Sequence, residues 1–134
     1  MGVHEHKKQA PRFITLGIIS VSTTRALIDD TSGQWIREQA EKIGHRIVFH
    51  EVIPDDAVQI TASLKDRIKD LSPQVILMSG GTGITKKDVT IEAVSPLFDK
   101  ELSAFGPLFA KLSMEEIDSA AIMSRASAGV IGNT

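Results

Sequence analysis

Residues 75–83, VILMSGGTG, decide the fold, because a short apolar segment runs directly into a glycine-rich loop. Four consecutive large apolar residues at 75–78 predict a buried strand. Two other segments also predict strands: residues 13–21 are rich in β-branched side chains, and residues 46–53 partly alternate between apolar and polar.

Helical patterns fill the chain between these strands. Ile36, Ala40 and Ile43 recur on one helix face, and apolar side chains repeat at helical spacing through residues 60–71. Strand and helix therefore alternate, which predicts an α/β domain with a mostly parallel sheet. Ligands of such sheets bind beyond the carboxyl ends of the strands. We therefore expect function in the loops at 22–30, 54–56 and 79–90.

The remainder of the chain predicts shorter elements. Residues 90–97 and 105–112 have helical patterns, and Ser113 with Glu116 has the spacing of a capping box for one more turn. Residues 120–131 are small and apolar, and the Gly-Asn pair at 132–133 predicts a turn.

Composition narrows the class of protein. The chain has 134 residues, 42% hydrophobic and 24% charged, which is typical of one soluble globular domain. The net charge of −2 gives no basic excess for nucleic acid or an anionic membrane, and the absence of cysteine excludes disulfides and thiolate sites. No segment approaches the roughly 20 apolar residues of a membrane span, and residues 1–12 lack an apolar signal core. The sequence predicts a cytoplasmic protein with a flexible arm at 1–12 and a single domain at 13–134.

The loop Ser79-Gly80-Gly81-Thr82-Gly83 has the composition of a phosphate-binding turn. Glycines let backbone N–H groups approach an anion closely, and Thr82 adds a hydroxyl donor. The spacing matches neither the P-loop nor the GxGxxG dinucleotide motif. Taken alone, the loop is also compatible with a tight turn that binds nothing.

Asp88 and Asp55 are candidate metal ligands. Asp88 follows the glycine loop by five residues, and Asp55 ends another predicted strand at the same edge of the sheet. A carboxylate beside a bound phosphate indicates a divalent cation, because the two anions otherwise repel each other. A shared Mg²⁺ would neutralise charge as a phosphate leaves. Each aspartate can instead cap a helix, and the neighbouring Lys86 and Lys87 can be solvated charges.

The remaining polar residues give less evidence of a binding or metal site. Ser124 and Arg125 supply a hydroxyl and a guanidinium that suit an oxyanion, or else Arg125 forms a surface ion pair. The four histidines predict no metal site, because each pair lacks a third ligand nearby; they are His4, His6, His45 and His50.

Taken together, these stretches resemble the MoaB/MogA family of molybdenum cofactor biosynthesis proteins, the molybdopterin adenylyltransferases. The resemblance extends from about residue 11 to residue 134, and its most specific part is SGGTG at 79–83 followed by KDVT at 87–90. The other matching stretches are SVSTTR at 20–25, DDTSG at 29–33, VIPDD at 52–56, PLFDKEL at 96–102, FG at 105–106, LSMEEI at 112–117 and MSRASAG at 123–129.

The resemblance implies a three-layer α/β/α, molybdopterin-binding-like fold and a homotrimer or homohexamer. It implies transfer of AMP from ATP to molybdopterin with Mg²⁺, and hand-over of the product to a separate protein that inserts molybdenum or tungsten. The implied site residues are Gly80, Gly81, Thr82 and Gly83 for the nucleotide, Asp55 and Asp88 for metal and catalysis, and Ser22, Ser124 and Arg125 for molybdopterin.

Some features depart from the family pattern. Thr23 stands where an aspartate is common, and Ala104, Pro107 and Ala110 replace a glycine, a glutamate and an arginine. Family chains continue beyond the turn at 132–133 with a strand, a Pro-Gly loop and a closing helix, so we expect the natural protein to have residues after Thr134.

Two other functions are compatible with the sequence. One is a non-catalytic oligomer that binds molybdopterin or a nucleotide, and the other is a small phosphate-binding α/β regulator without a link to molybdenum. Asp55 and Asp88 favour the enzyme, whereas Thr23 and the missing C-terminal loop favour the non-catalytic binder.

Overall fold

Strands and helices alternate along the chain, as the sequence predicts. The structure is a computed structural model and describes residues 2–134. In chain order the elements are α1 (Val3–Gln9), β1 (Thr15–Val21), α2 (Thr31–Lys42), β2 (Arg46–Ile53), α3 (Ala57–Leu71), β3 (Val75–Ser79), α4 (Thr90–Val94), β4 (Lys100–Glu101), α5 (Phe105–Ile117) and β5 (Gly129–Val130). Short 3₁₀ turns lie at Leu27–Asp29, Ser95–Leu97 and Asp118–Met123.

A parallel sheet of three strands occupies the centre of the molecule. Its order is β2-β1-β3, so the first strand of the chain lies between the other two. In the register of the sheet, Ile18 pairs with His50 on one side and with Leu77 on the other. All three predicted strands and their parallel arrangement are confirmed. Their carboxyl ends therefore meet at one edge, where the predicted functional loops begin.

Helices cover both faces of this sheet, which confirms the three-layer α/β/α architecture. α2 packs on the face of the sheet that carries Ser20 of β1. The Ser20 hydroxyl donates to Asp30, and Asp30 caps the start of α2. α3 and α4 cover the opposite face, where Ile19 packs with Ile60 and Leu64. Alternate side chains of β1 therefore face opposite layers, which explains why apolar residues predominate along the strand.

The core is built from branched aliphatic side chains. Ile18, Ile19 and Ile60 are fully buried, and Leu16, Val21 and Leu64 are nearly so. Burial of each such side chain contributes roughly 1.5–3 kcal/mol to stability. The central strand and α3 thus anchor the loops that leave the edge of the sheet.

The C-terminal part forms α5 and a two-stranded antiparallel ribbon, β4 with β5. Ser113 and Glu116 lie inside α5, so the prediction of a separate turn starting at Ser113 is wrong; no glycine or proline lies between Ser113 and Ile117 to end the helix earlier. Pro107 lies in the first turn of α5, where its missing N–H removes no helical hydrogen bond. The predicted turn at 132–133 is confirmed, because Thr134 N–H donates to Ile131 O at 3.0 Å.

The predicted arm at 1–12 contains regular structure that the sequence did not predict. Val3–Gln9 forms the exposed helix α1, and the Gly2 N–H donates to the Glu5 carboxylate at 3.1 Å, which stabilises the first turn. Met1 lies outside the described residues. No helix within residues 2–134 has the length and apolar character needed to cross a membrane.

Candidate functional site

The glycine loop and the two predicted carboxylates come together at the carboxyl edge of the sheet. A methyl group built on Gly81 would lie 3.1 Å from Oδ1 of Asp55, and one built on Gly83 would lie 2.8 Å from Oδ2 of Asp88. The loop therefore lies between the two aspartates, which are 33 positions apart in the sequence. This geometry is the arrangement expected from the loop positions in the sequence.

Two positions in the loop require glycine. Gly80 has φ +88° and Gly81 has φ +64°, in the region where side chains are strained. A methyl group on Gly80 would also lie 2.2 Å from the carbonyl oxygen of Val21, and one on Gly81 would lie 2.3 Å from Oγ1 of Thr90. Backbone conformation and close packing thus both exclude a larger residue at either position.

The carbonyl groups of Gly80 and Gly81 are held by Thr90, the first residue of α4. The Thr90 hydroxyl donates to Gly80 O at 2.8 Å, and the Thr90 N–H donates to Gly81 O at 3.1 Å. Thr90 is 4% exposed, so this pair of hydrogen bonds is shielded from competing water.

The next two carbonyl groups are held by Arg125. Its backbone N–H donates to Thr82 O at 3.0 Å, and its Nε–H donates to Gly83 O at 3.0 Å and to Thr82 O at 3.3 Å. All four carbonyl groups from Gly80 to Gly83 therefore have partners within the protein.

This fixation orients the N–H groups of the loop. A trans peptide is planar, so its N–H points opposite to its C=O, and no cis peptide occurs within residues 2–134. The N–H groups of Gly81, Thr82 and Ile84 accordingly point away from Thr90 and Arg125. Backbone N–H groups presented in this way suit an anion such as phosphate.

Asp88 is ionised and bound to its own loop. Its Oδ2 accepts from the Thr85 hydroxyl at 2.8 Å and from the Thr85 N–H at 2.9 Å. These two hydrogen bonds, with a third from the Gly83 N–H, hold the pKa of Asp88 below its ordinary value. The alternative role as cap of the next helix is excluded, because Val89 is the N-cap residue of α4 and has no side-chain cap.

Asp55 is likewise free of helix capping. The neighbouring Asp56 caps α3 by accepting from the Gln59 N–H at 2.9 Å. Oδ2 of Asp55 instead accepts from the Thr23 hydroxyl at 2.8 Å and from the Thr23 N–H at 3.1 Å. Asp55 is thus oriented by the loop that follows β1, and its other oxygen lies beside Gly81.

The carboxylates of Asp55 and Asp88 are suited to a magnesium ion that binds together with a nucleotide. Within residues 2–134, no three acidic or histidine side chains converge on a metal position. Mg²⁺ is commonly held by one or two carboxylates together with waters and substrate phosphates, rather than by a complete protein cage. Asp55 and Asp88, both beside a loop suited to phosphate, supply that number and type of ligand.

The predicted molybdopterin residues lie around the same loop. Ser22 follows β1, and its Oγ accepts from the Arg25 N–H at 3.2 Å. Ser124 is exposed and directly precedes Arg125. The Arg125 guanidinium contacts the Glu92 carboxylate as well as the loop carbonyls, so the ion pair considered from the sequence is present.

A buried polar cluster supports the loop at 22–30. Asp30 is fully buried and accepts from the Ser20 hydroxyl at 2.5 Å and from the Gly33 N–H at 3.1 Å, and Nε2 of His50 lies 2.7 Å from it. Burial acts to raise the pKa of Asp30, but the hydrogen bonds from Ser20 and His50 outweigh burial and hold the pKa below its ordinary value. His50 therefore belongs to this buried cluster.

Sequence reasoning assigned no role to three residues that shape the site. Thr90 follows Asp88 within the KDVT stretch, and a hydroxyl at a helix start after a glycine loop was the available signal. In the sequence, Thr23 stands out only as a departure from the family pattern. Glu92 gave no local signal, because its partner Arg125 is 33 positions away.

Comparison with known proteins identifies the family. Residues 17–133 match a family model described as a probable molybdopterin binding domain. The chain is 45% identical to molybdenum cofactor biosynthesis protein B of Bacillus cereus, over 98% of this chain and 79% of that protein. It is 44% identical to a molybdopterin adenylyltransferase of Pyrococcus furiosus, over 98% of this chain and 77% of that protein.

Solved structures agree with this result. A crystal structure of a molybdenum cofactor biosynthesis protein B has a TM-score of 0.86 at 43% identity, covering 92% of this chain and 78% of the other. The tungsten cofactor synthesizing protein MoaB from Pyrococcus furiosus has a TM-score of 0.79 at 41% identity, covering 91% and 76%. On the combined strength of sequence, fold and loop geometry, the chain belongs to the MoaB/MogA family of molybdopterin-binding domain proteins.

Proposed function

We propose that this protein transfers AMP from ATP to molybdopterin, in the biosynthesis of a molybdenum or tungsten cofactor. The observation that supports this most strongly is the glycine loop, in which the carbonyl groups from Gly80 to Gly83 all have partners within the protein and which two aspartates flank. The Pyrococcus furiosus relative, 44% identical, is named molybdopterin adenylyltransferase.

The reaction needs positioning and charge stabilisation more than proton transfer. A terminal phosphate oxygen of molybdopterin attacks the α-phosphorus of ATP, the bond from that phosphorus to the bridging oxygen breaks, and pyrophosphate leaves with the electron pair. The attacking oxygen is already anionic near neutral pH. The N–H groups of Gly81, Thr82 and Ile84 bind phosphate oxygens and stabilise charge that develops during transfer.

Asp55 and Asp88 bind the metal that accompanies ATP. Both carboxylates lie beside the glycine loop, and the hydrogen bonds to Asp88 keep that group ionised. When bound there, Mg²⁺ neutralises negative charge on the phosphates. Thr23 orients Asp55 toward the loop, while Thr85 orients Asp88.

Ser22 and Ser124 are assigned to the molybdopterin side of the site. Ser22 lies in the loop after β1, next to the residue that orients Asp55. Ser124 is exposed and is held near the glycine loop through the backbone hydrogen bond of Arg125. We extend the proposal to a cytoplasmic homotrimer or homohexamer that passes its product to a separate metal-insertion protein.

One observation favours a second candidate, a non-catalytic binder of molybdopterin or nucleotide. Oδ2 of Asp55 accepts two hydrogen bonds from Thr23, where family members commonly have an aspartate. This contact leaves one Asp55 oxygen for a metal. A non-catalytic binder would retain the anion site of the glycine loop without effective transfer.

Adenylylation measured directly separates the two candidates. ATP labelled at the α-phosphate is incubated with molybdopterin and Mg²⁺, and the label on molybdopterin and the released pyrophosphate are quantified. The enzyme gives equal amounts of both products. Nucleotide binding without transfer, under conditions in which an active relative reacts, supports the binder instead.

A further inference from the structure

We propose that Glu92 and Arg125 are positioning residues that together hold the glycine loop in its nucleotide-binding shape. We call this pair the Glu92–Arg125 brace. The inference rests on the proposed function, because it assigns the nucleotide phosphates to that loop. It changes the role expected for Arg125 from a molybdopterin contact to a support of the nucleotide site.

The contacts of Arg125 point at the backbone of the loop. Its Nε–H donates to the carbonyl groups of Thr82 and Gly83, and Nη2 lies 3.4 Å from the carbonyl oxygen of Asp88. The guanidinium therefore links the glycine turn with the segment that carries the second candidate metal ligand. A planar group with donors on three sides can make these contacts at once, which a lysine ammonium cannot reproduce.

Glu92 holds the other side of the guanidinium. Its carboxylate accepts from both terminal nitrogens of Arg125, and this hydrogen bonding lowers the pKa of Glu92, so it is ionised near neutral pH. Glu92 lies on α4, two positions after Thr90, which binds the first two loop carbonyls directly. α4 thus holds the beginning of the loop through Thr90 and its end through Glu92 and Arg125.

Charge balance also argues against a direct role of Arg125 in substrate binding. The positive charge of the guanidinium is matched by Glu92 at hydrogen-bond distance, so a substrate phosphate would have to displace that carboxylate. The ion pair between Glu92 and Arg125 contributes little to the free energy of folding by itself, since surface ion pairs are weak in water. Its effect is expected on the geometry of the loop, where small displacements strongly reduce binding and rate.

Nucleotide binding by matched variants tests the brace. We compare wild-type protein with Glu92→Ala, Arg125→Lys and the double variant, using a non-cleavable ATP analogue with Mg²⁺ and, separately, molybdopterin. Each single change is expected to weaken the ATP analogue by on the order of tenfold with molybdopterin affinity unchanged. The double variant is expected to lose little more than either single one, because the two residues act as a unit.

A second ion pair provides the control. Arg37 and Glu41 lie on α2 at comparable exposure, 46% and 50% against 36% and 53% for Arg125 and Glu92, and do not contact the loop. Arg37→Lys with Glu41→Ala should leave both ligands unaffected. The melting temperature of every variant is measured to check that the fold is retained.

The outcomes distinguish the brace from the proposed function. If Glu92→Ala binds the ATP analogue like the wild type, or Arg125→Lys weakens molybdopterin instead, the brace is wrong while the proposed function stands. If the wild type binds no ATP analogue, both are wrong. Weakened ATP binding in both single variants, without loss of molybdopterin, supports the brace.

Discussion

The hydroxyl of Thr23 donates a hydrogen bond of 2.8 Å to Oδ2 of Asp55, and the Asp55 N–H donates back to that hydroxyl at 3.2 Å. This reciprocal contact joins the loop after β1 to the loop after β2. An aspartate at position 23 would place two like charges together and disfavour ionisation of both. The departure from the family pattern therefore has a structural role, which is to orient one carboxylate of the site.

Removing this hydroxyl should impair transfer more than folding. Thr23→Val keeps the shape of the side chain but loses both hydroxyl contacts, so we expect adenylylation to fall by about tenfold through misplacement of Asp55. Thr23→Ser retains the hydroxyl and should stay near the wild-type rate. Steady-state rates of the two variants test this, and equal rates for Val and Ser would show that Asp55 does not depend on the Thr23 hydroxyl.

A side chain at Gly81 should damage the nucleotide site. Gly81→Val places Cβ 2.3 Å from the Thr90 hydroxyl at a backbone φ of +64°, so the loop must move. We expect binding of ATP to weaken far more than binding of molybdopterin, as measured by separate titrations.

Gly132 offers a matched control for that substitution. It has φ +60°, and a methyl group there meets no atom within 4 Å. Gly132→Val therefore carries similar backbone strain, without the collision at the site, and should leave ATP affinity unchanged. Equal weakening of both ligands by Gly81→Val, or no weakening, would identify the glycine loop as a structural turn only.

Asp30 should make stability depend on pH in the acidic range. Because its folded-state pKa lies below the ordinary value of about 3.9, folding favours the ionised form. This contribution is fully present above about pH 4 and is lost as pH falls through the lowered pKa. Asp30→Asn should destabilise the protein by about 2 kcal/mol at pH 7 and flatten the acid dependence of the free energy of unfolding.

Denaturant unfolding at several pH values measures this effect. Asp29→Asn is the control, because Asp29 is exposed and lies next to Asp30 in the chain. An Asp30→Asn variant with wild-type stability and an unchanged acid limb would show that the buried cluster does not set the pH dependence.

The assembly state is a further prediction. Within the described residues, α5 buries none of its side chains, and exposed apolar residues include Leu108, Leu112 and Ile117. Monomeric proteins rarely expose such a surface, which supports the trimer or hexamer expected from the family. Light scattering over a range of concentrations should give the mass of three or six chains. A monomer at every concentration would contradict this prediction.

The elements that the sequence predicts well are those with a local signal. The apolar segment before the glycine loop and the periodic residues Ile60 and Leu64 specify β3 and α3 by composition and spacing alone. The sequence also predicted the meeting of Asp55, the glycine loop and Asp88, since all three follow parallel strands. Spacing left open which of the neighbouring Asp55 and Asp56 caps α3, because both lie at the helix start.

Contacts between distant residues were not predictable in the same way. Asp30 caps α2 and His50 lies in β2, and the packing of α2 against the sheet brings them together. Glu92 and Arg125 meet because the chain returns to the loop after α5 and the following turn. Such pairs depend on tertiary packing, which local sequence patterns do not reveal.

The central claim is that Asp55 and Asp88 hold the metal for AMP transfer, and label transfer from α-phosphate-labelled ATP to molybdopterin tests it most directly. The assay compares wild-type protein with Asp55→Asn, Asp88→Asn and the control Asp56→Asn, which retains helix capping by an amide oxygen. We expect the wild type and Asp56→Asn to transfer AMP in the presence of Mg²⁺, and the other two variants to lose on the order of 100-fold in rate with melting temperatures little changed. Near wild-type transfer by Asp55→Asn or Asp88→Asn would contradict the assignment of the site.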